Sequence, residues 1–225
     1  MSPPADYLPE AQRADPYATS RLDMVADQIV ARGVKDARVL AAMREVPRHE
    51  FVPPDERANA YIDAPLPIGF GQTISQPYIV ALMTELARPS ATDSVLEVGT
   101  GSGYQAAVLS RLVAAVRSIE IVEPLARTAE ATLRRLGYAN VQVRIGDGYQ
   151  GWPEAAPFDI IIVTAAPDAV PPALVAQLKP GGRLVIPVGP VGAVQDLLVM
   201  EKDGTGRTTT RSIIPVRFVP LVRKR

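Results

Sequence analysis

The sequence predicts an α/β fold: a doubly wound, mostly parallel sheet with an antiparallel edge hairpin and an N-terminal helical extension. Three observations carry this expectation. From Ser94 onward short apolar runs alternate with helical segments, the pattern of a parallel sheet covered on both faces. Two further extended stretches then flank Lys202-Asp203-Gly204-Thr205-Gly206-Arg207, a Gly-rich turn suited to a β-hairpin. Before Ser94 the spacing is helical and then rich in proline and glycine, with no linker to the rest. Residues 20–225 are therefore read as one domain, an arm over 20–77 and a core over 78–225, preceded by a flexible segment over 1–19.

The elements follow in order. Ser20 or Thr19 can cap a helix with apolar residues at Leu22, Val25, Ile29 and Val30, closed by Gly33. Asp36 can cap a second, with Val39, Leu40 and Met43, stopped by Pro47. Residues 51–77 hold Pro53, Pro54, Pro65, Pro67, Pro77, Gly69 and Gly71 and read as an ordered loop with short extended pieces. Ser75 then stands where an N-cap belongs, ahead of a helical face made by Ile79, Val80, Leu82, Met83 and Leu86. Strands are expected at Val95–Val98, Val116–Ile119, Val141–Ile145, Ile160–Val163 and Leu184–Val188. Helices fit 103–114, 124–136 and 171–178, and the hairpin takes Gln195–Glu201 and Thr208–Phe218.

Composition narrows the chemistry. The 225 residues include 24 Lys+Arg, 24 Asp+Glu, no Cys and a single histidine, His49. A balanced charge argues against a general grip on nucleic acid or anionic membrane. Without Cys there is no disulfide, no Cys-zinc site, no iron–sulfur cluster and no thiol nucleophile. One His rules out a multi-His metal site within one chain, and no metal is expected. No apolar run approaches the ~18 residues of a membrane span, and Met1 to Asp15 lacks a basic-then-apolar signal pattern. The expected location is the cytoplasm, the expected state a monomer. The final Arg223-Lys224-Arg225 reads as a solvated tail.

The strand Val95-Leu96-Glu97-Val98 runs into Gly99-Thr100-Gly101-Ser102-Gly103-Tyr104 and then a helix. Glycines let the backbone approach a ligand, and the helix N-terminus presents free N–H groups. In an open α/β sheet ligands bind at the carboxyl ends of the strands. The dinucleotide fingerprint is broken here, because its third glycine position holds Tyr104. The pattern acid-x-Gly-x-Gly-x-Gly resembles instead the S-adenosylmethionine loop of class I methyltransferases, with Glu97 aimed at the cationic amino-acid end of that cofactor. Glu120 closes the next strand and suits ribose hydroxyls. Glu123 is an alternative that reads better as a helix-start acid. Asp147, inside Gly146-Asp147-Gly148, can reach an adenine amino group or serve as a plain turn residue.

Further runs resemble one family, the protein-L-isoaspartate O-methyltransferases. The signal is the run Leu66-Pro67-Ile68-Gly69-Phe70-Gly71-Gln72-Thr73-Ile74-Ser75-Gln76-Pro77, directly before the core, and its specific part is Gln72 to Pro77. Pro47-Arg48-His49-Glu50-Phe51-Val52-Pro53, Gly151-Trp152, Phe158-Asp159, Val163-Thr164-Ala165-Ala166-Pro167, Gly181 to Gly189 and Val216-Arg217-Phe218-Val219-Pro220-Leu221 are similar too, covering about residues 20–222. Departures are few: Ile121 stands where bacterial members often carry Arg, and Val80 where some animal members carry His.

The resemblance implies a Rossmann-like class I methyltransferase that moves a methyl from S-adenosylmethionine to the free α-carboxyl of L-isoaspartyl residues in damaged proteins and peptides. The ester then closes to a succinimide, which begins repair. It also implies a cofactor site at Glu97, Gly99, Thr100, Gly101, Ser102, Gly103, Glu120, Asp147 and Gly148, and a substrate cleft at Thr73, Ile74, Ser75 and Gln76. The nucleophile, with an unperturbed pKa of roughly 3.5, arrives ionised, so no base, thiol or imidazole is needed. The hard chemistry belongs to the cofactor. What remains is orientation, worth ~7–11 kcal/mol, and Ser75 is the hydroxyl expected to hold the carboxylate. His49 is read as structural, Trp152 as core or cleft wall, and Asp159 as a satisfied structural acid. A small-molecule methyltransferase would keep the three acids without needing Gln72–Pro77. A non-catalytic S-adenosylmethionine-binding or peptide-binding module would be marked by loss of Ser75 or of a loop glycine, and neither is lost.

Overall fold

The structure is a computed structural model that describes residues 15–223. The first helix, α1 (Ala18–Asp23), continues through a π-helical turn, Met24–Ile29, and a 3-10 turn, Val30–Arg32, to Gly33 at φ 93°. Neither Thr19 nor Ser20 caps it. Tyr17 takes the N-cap position without a side-chain cap bond. The start is held instead by Asp15, which accepts from the Tyr17 amide at 2.8 Å, and by the Tyr17 ring, stacked on His49 at 4.3 Å. Residues 1–14 of the expected flexible segment lie outside the described residues, whereas these contacts fix its last part.

Asp36 caps α2 (Ala37–Glu45), accepting from the Arg38 and Val39 amides. Two 3-10 turns, Arg48–Phe51 and Pro54–Asn59, lead to a hairpin of β1 (Leu66–Gly69) and β2 (Gln72–Ile74). Its tip strings together three positive φ angles, at Gly69, Phe70 and Gly71. Then comes α3 (Pro77–Ala87), with Pro77 in its first turn. Ser75 is not its cap. Gln76 takes that position with no side-chain cap bond, because its amide donates to the Asp63 carbonyl and carboxylate instead.

The core runs β3 (Ser94–Val98), α4 (Tyr104–Ser110), β4 (Ala115–Glu120), α5 (Glu123–Arg135), β5 (Val141–Ile145), β6 (Phe158–Val163), α6 (Pro172–Gln177), β7 (Leu178–Val188), β8 (Gln195–Lys202) and β9 (Thr208–Val216). The sheet order is β5-β4-β3-β6-β7-β8-β9. The first five strands of that order are parallel, and β8 and β9 add on antiparallel. The chain winds outward from β3 to β5, then returns to β3's other side as β6. The switch point therefore falls between β3 and β6, where such sheets open a crevice at the strands' carboxyl ends. Most expected boundaries hold within a few residues, and two move further. Helix α4 stops at Ser110, whose hydroxyl turns back to the Ala107 carbonyl while its own carbonyl accepts from Asn140. Strand β7 begins at Leu178, which pairs with Phe158 ahead of a bulge over Lys179 to Gly182 in which Gly181 takes φ 84° and Gly182 lies tight against the Asp159 carbonyl.

Buried apolar residues fill both faces of the sheet, and Trp152 joins the cluster with Leu96, Phe158 and Ile161. Asp159 is a structural acid: Lys179 Nζ donates to both its oxygens at 2.8 Å, and the Ser94 amide donates to one. His49 is a packing residue, joined to Tyr61 at 2.8 Å through Nδ1. Arg223 lies over the Tyr149 ring at 3.9 Å, so the C-terminal tail is partly docked; Lys224 and Arg225 lie outside the described residues. Among the described residues no helix is long and apolar enough to cross a membrane, and no cluster of potential metal ligands forms.

Candidate active site

The carboxyl ends of β3 and β6 meet at the switch point. Thr164, just past β6, donates its hydroxyl to the Gly99 carbonyl at 2.6 Å and its amide to the Val98 carbonyl at 2.9 Å. Gly99 must be glycine here: its φ is 98°, and a Cβ would sit 2.4 Å from Thr164 Oγ1. Gly101 (φ 53°) and Gly103 (φ 90°) complete the turn into α4. Ile68 of β1 packs onto Gly101, so the arm hairpin roofs the glycine loop.

A narrow cavity opens beside this loop. Gly99, Gly101, Glu120, Gly148, Thr73 and Leu221 are among its walls. Glu120 bridges the site, accepting from the Gly101 amide at 2.8 Å and the Val122 amide at 2.9 Å. Gly148 is another close approach, since a Cβ there would meet Val98 Cγ1 at 2.4 Å. Asp147 sits beside the cavity with Oδ1 taken by the Tyr149 amide. Glu123 lies on the surface paired with Arg127.

Glu97 is placed differently from the expectation. Its side chain is fully buried beneath the loop and forms no part of the cavity wall. Ser118 donates to Oε2, Thr100 Oγ1 lies 2.6 Å from the Ser118 hydroxyl, and Oε1 is buried without a partner. Burial, partly opposed by the Ser118 hydrogen bond and reinforced by Glu120, pushes the Glu97 carboxyl up to about 8. The buried Thr100 side chain is spent on the same chain, and its backbone is tied to Ile119 and Gly103. Ser102 is half-buried, and its Oγ accepts from the Tyr104 amide loosely at 3.4 Å.

A second, larger cavity of about 400 Å³ adjoins the first, and Thr73, Thr164 and Val219 line both. Ser75 and Gln76 belong to this one. A small cleft joins Ser75 and the buried Ile74 to the loop from Gly99 to Ser102. The arm hairpin and the glycine loop thus bring Ser75, Thr73 and the cofactor-loop candidates to one place, with Ser75 free of any capping duty.

Two contributors were not singled out from sequence. Thr164 touches all three spaces; the available signal was a hydroxyl just past a parallel strand, where ligands sit. The segment Val219 to Val222 returns to the site through Ala166, with hydrogen bonds of 2.8 Å on each side.

Comparison with known proteins places the arrangement. The family model for Protein-L-isoaspartate(D-aspartate) O-methyltransferase matches residues 13–225. A Protein-L-isoaspartate O-methyltransferase 2 from Syntrophobacter fumaroxidans is 57% identical over 216 residues, covering 92% of this chain and 87% of that one. A Protein-L-isoaspartate O-methyltransferase from Opitutus terrae is 60% identical over 205 residues, covering 91% and 88%. A solved protein-L-isoaspartate O-methyltransferase superposes with a TM-score of 0.79 at 32% identity, covering 90% of this chain and 65% of that one.

Proposed function

Since the chain belongs to the protein-L-isoaspartate O-methyltransferase family, we propose that the two adjoining cavities divide one reaction between them: methyl transfer from S-adenosylmethionine to the free α-carboxyl of an L-isoaspartyl residue. The first cavity takes the cofactor and the second the damaged polypeptide. The observation that carries this assignment is their junction, where Thr73 and Thr164 line both spaces and Ser75 stands beside the glycine loop.

The residues suit that cofactor. Gly99 and Gly148 are places where a Cβ would collide with the wall, so the backbone there is built for close approach. Glu120 presents an anion on the cavity wall, suited to a ribose diol or a cationic ligand, and Asp147 stands at the third strand's end. The unpartnered Oε1 of Glu97 holds unused acceptor capacity beneath the loop. When bound, S-adenosylmethionine supplies an electrophilic methyl group on a sulfonium. The Gly99–Gly103 backbone, Glu120, Asp147 and Gly148 would hold it. Glu97 acts from below through Ser118 and Thr100, shaping the loop.

Ser75 would donate a hydrogen bond to one oxygen of the substrate carboxylate, fixing it without protonating it. Thr73, Ile74 and Gln76 line the cleft, with Gln76 also tying the arm to Asp63. His49 and Asp159 stay in their structural roles. A cytoplasmic monomer acting on isoaspartyl polypeptides, without nucleic acid or membrane, completes the reading.

Ser75→Ala tests the placement. A hydrogen bond to a charged group is worth about 1.5–3 kcal/mol, so turnover on an isoaspartyl peptide should fall about 10- to 100-fold while S-adenosylmethionine affinity changes little. Equal loss in both quantities would contradict a positioning role.

A further inference from the structure

The charges around the reaction space are sorted. Among the described residues that line the three joined cavities, Glu120 is the only anion and lies on the cofactor side. Arg217 is the only cation, and it lies on the wall of the second cavity with Ser75, Thr73 and Phe218. Arg217 is exposed and has no carboxylate within 4.0 Å among the described residues, unlike Arg21, Arg32, Arg135 and Arg183, which are paired. Its backbone is fixed on both sides. Val216 is buried at the end of β9, and the Phe218 amide donates to Gln195 Oε1 at 2.9 Å. A guanidinium held at the rim of a cleft, with no internal partner, is available to an anion that enters from outside.

The substrate assigned above brings one obligatory anion, the α-carboxylate that accepts the methyl. We propose that Arg217 is a specificity residue for that carboxylate, drawing it into the second cavity and pairing with it while Ser75 sets its orientation. A carboxylate has about four lone-pair sites, so a guanidinium and a hydroxyl leave an oxygen lone pair free to react. Arg suits this better than Lys because its fork matches a carboxylate plane. The attraction acts across solvent, so it is screened by salt and works mainly on capture.

This inference rests on the proposed function, and the experiment separates the two. Binding and methylation are measured for an isoaspartyl peptide with uncharged flanks and for its twin carrying a carboxamide in place of the α-carboxylate. Parent, Arg217→Gln and Arg217→Lys proteins are compared. The parent should bind the carboxylate peptide about tenfold more tightly than the carboxamide, a gap that narrows with added salt. Arg217→Gln should close most of that gap and raise KM about tenfold, with kcat within about threefold and S-adenosylmethionine affinity unchanged. Arg217→Lys should recover part of the loss. An unchanged gap in Arg217→Gln overturns the inference, as does an equal loss of affinity for the carboxylate and carboxamide peptides. A parent that binds the peptide but never methylates it contradicts the functional reading, while the binding comparison still decides Arg217.

Discussion

Glu97 holds a carboxyl group where water does not reach, with one oxygen on Ser118 and the other without a partner. Burial raises its folded pKa to about 8 from an ordinary 4.5. The folded state therefore binds the proton more tightly than the unfolded chain. That contribution to stability is complete below about pH 4.5 and is lost as pH rises through about 8. The cofactor-free protein should lose stability across that window, and Glu97→Gln should flatten the slope. Denaturant titrations at about pH 5 and about pH 8 check this; parallel losses in both proteins would remove Glu97 as the cause. The residue type was legible in the sequence, as was its place at the end of β3. Its direction was not, since in a parallel sheet both faces are buried and apolar runs do not tell roof from floor.

At the scale of elements, the glycine loop is the part most tightly constrained by backbone geometry. An added methyl at Gly99 would meet Thr164 Oγ1 and lose the hydroxyl's bonds to Val98 and Gly99, at a φ that side chains avoid. Gly99→Ala should cost about 1–3 kcal/mol and weaken S-adenosylmethionine binding at least tenfold, read by calorimetry and denaturation. Gly204, in the β8–β9 turn with open space around its Cβ position, is the control. Gly204→Ala should stay within about 0.5 kcal/mol. Equal behaviour of the two would contradict the close packing of the loop.

Sequence reading did well where local chemistry decides. Asp36 caps α2 and Pro77 opens α3 as expected. It failed where distant partners decide. The α1 start is set by the Tyr17–His49 stack across the arm, and Ser75 loses the cap position because Gln76 is pulled to Asp63. The second error is informative about function, since it leaves Ser75 on the wall of the cleft without a capping bond.

The whole molecule is an arm laid over a parallel sheet so that a hairpin from the arm meets a loop from the sheet. Sequence alone gave the order of strands along the chain and the runs that carry the family resemblance. It could not show that β1 roofs the glycine loop, that Thr164 joins the two cavities, or that the C-terminal segment returns to them, because these contacts are long-range. A net charge of zero suits a protein that meets damaged polypeptides of any composition, with charge placed locally at Glu120 and Arg217. The most direct measurement is methyl-labelled S-adenosylmethionine mixed with two peptides that differ only in isoaspartate versus aspartate. Base-labile label on the isoaspartyl peptide alone is the expected result. Equal labelling of both peptides, or of neither, would contradict the account.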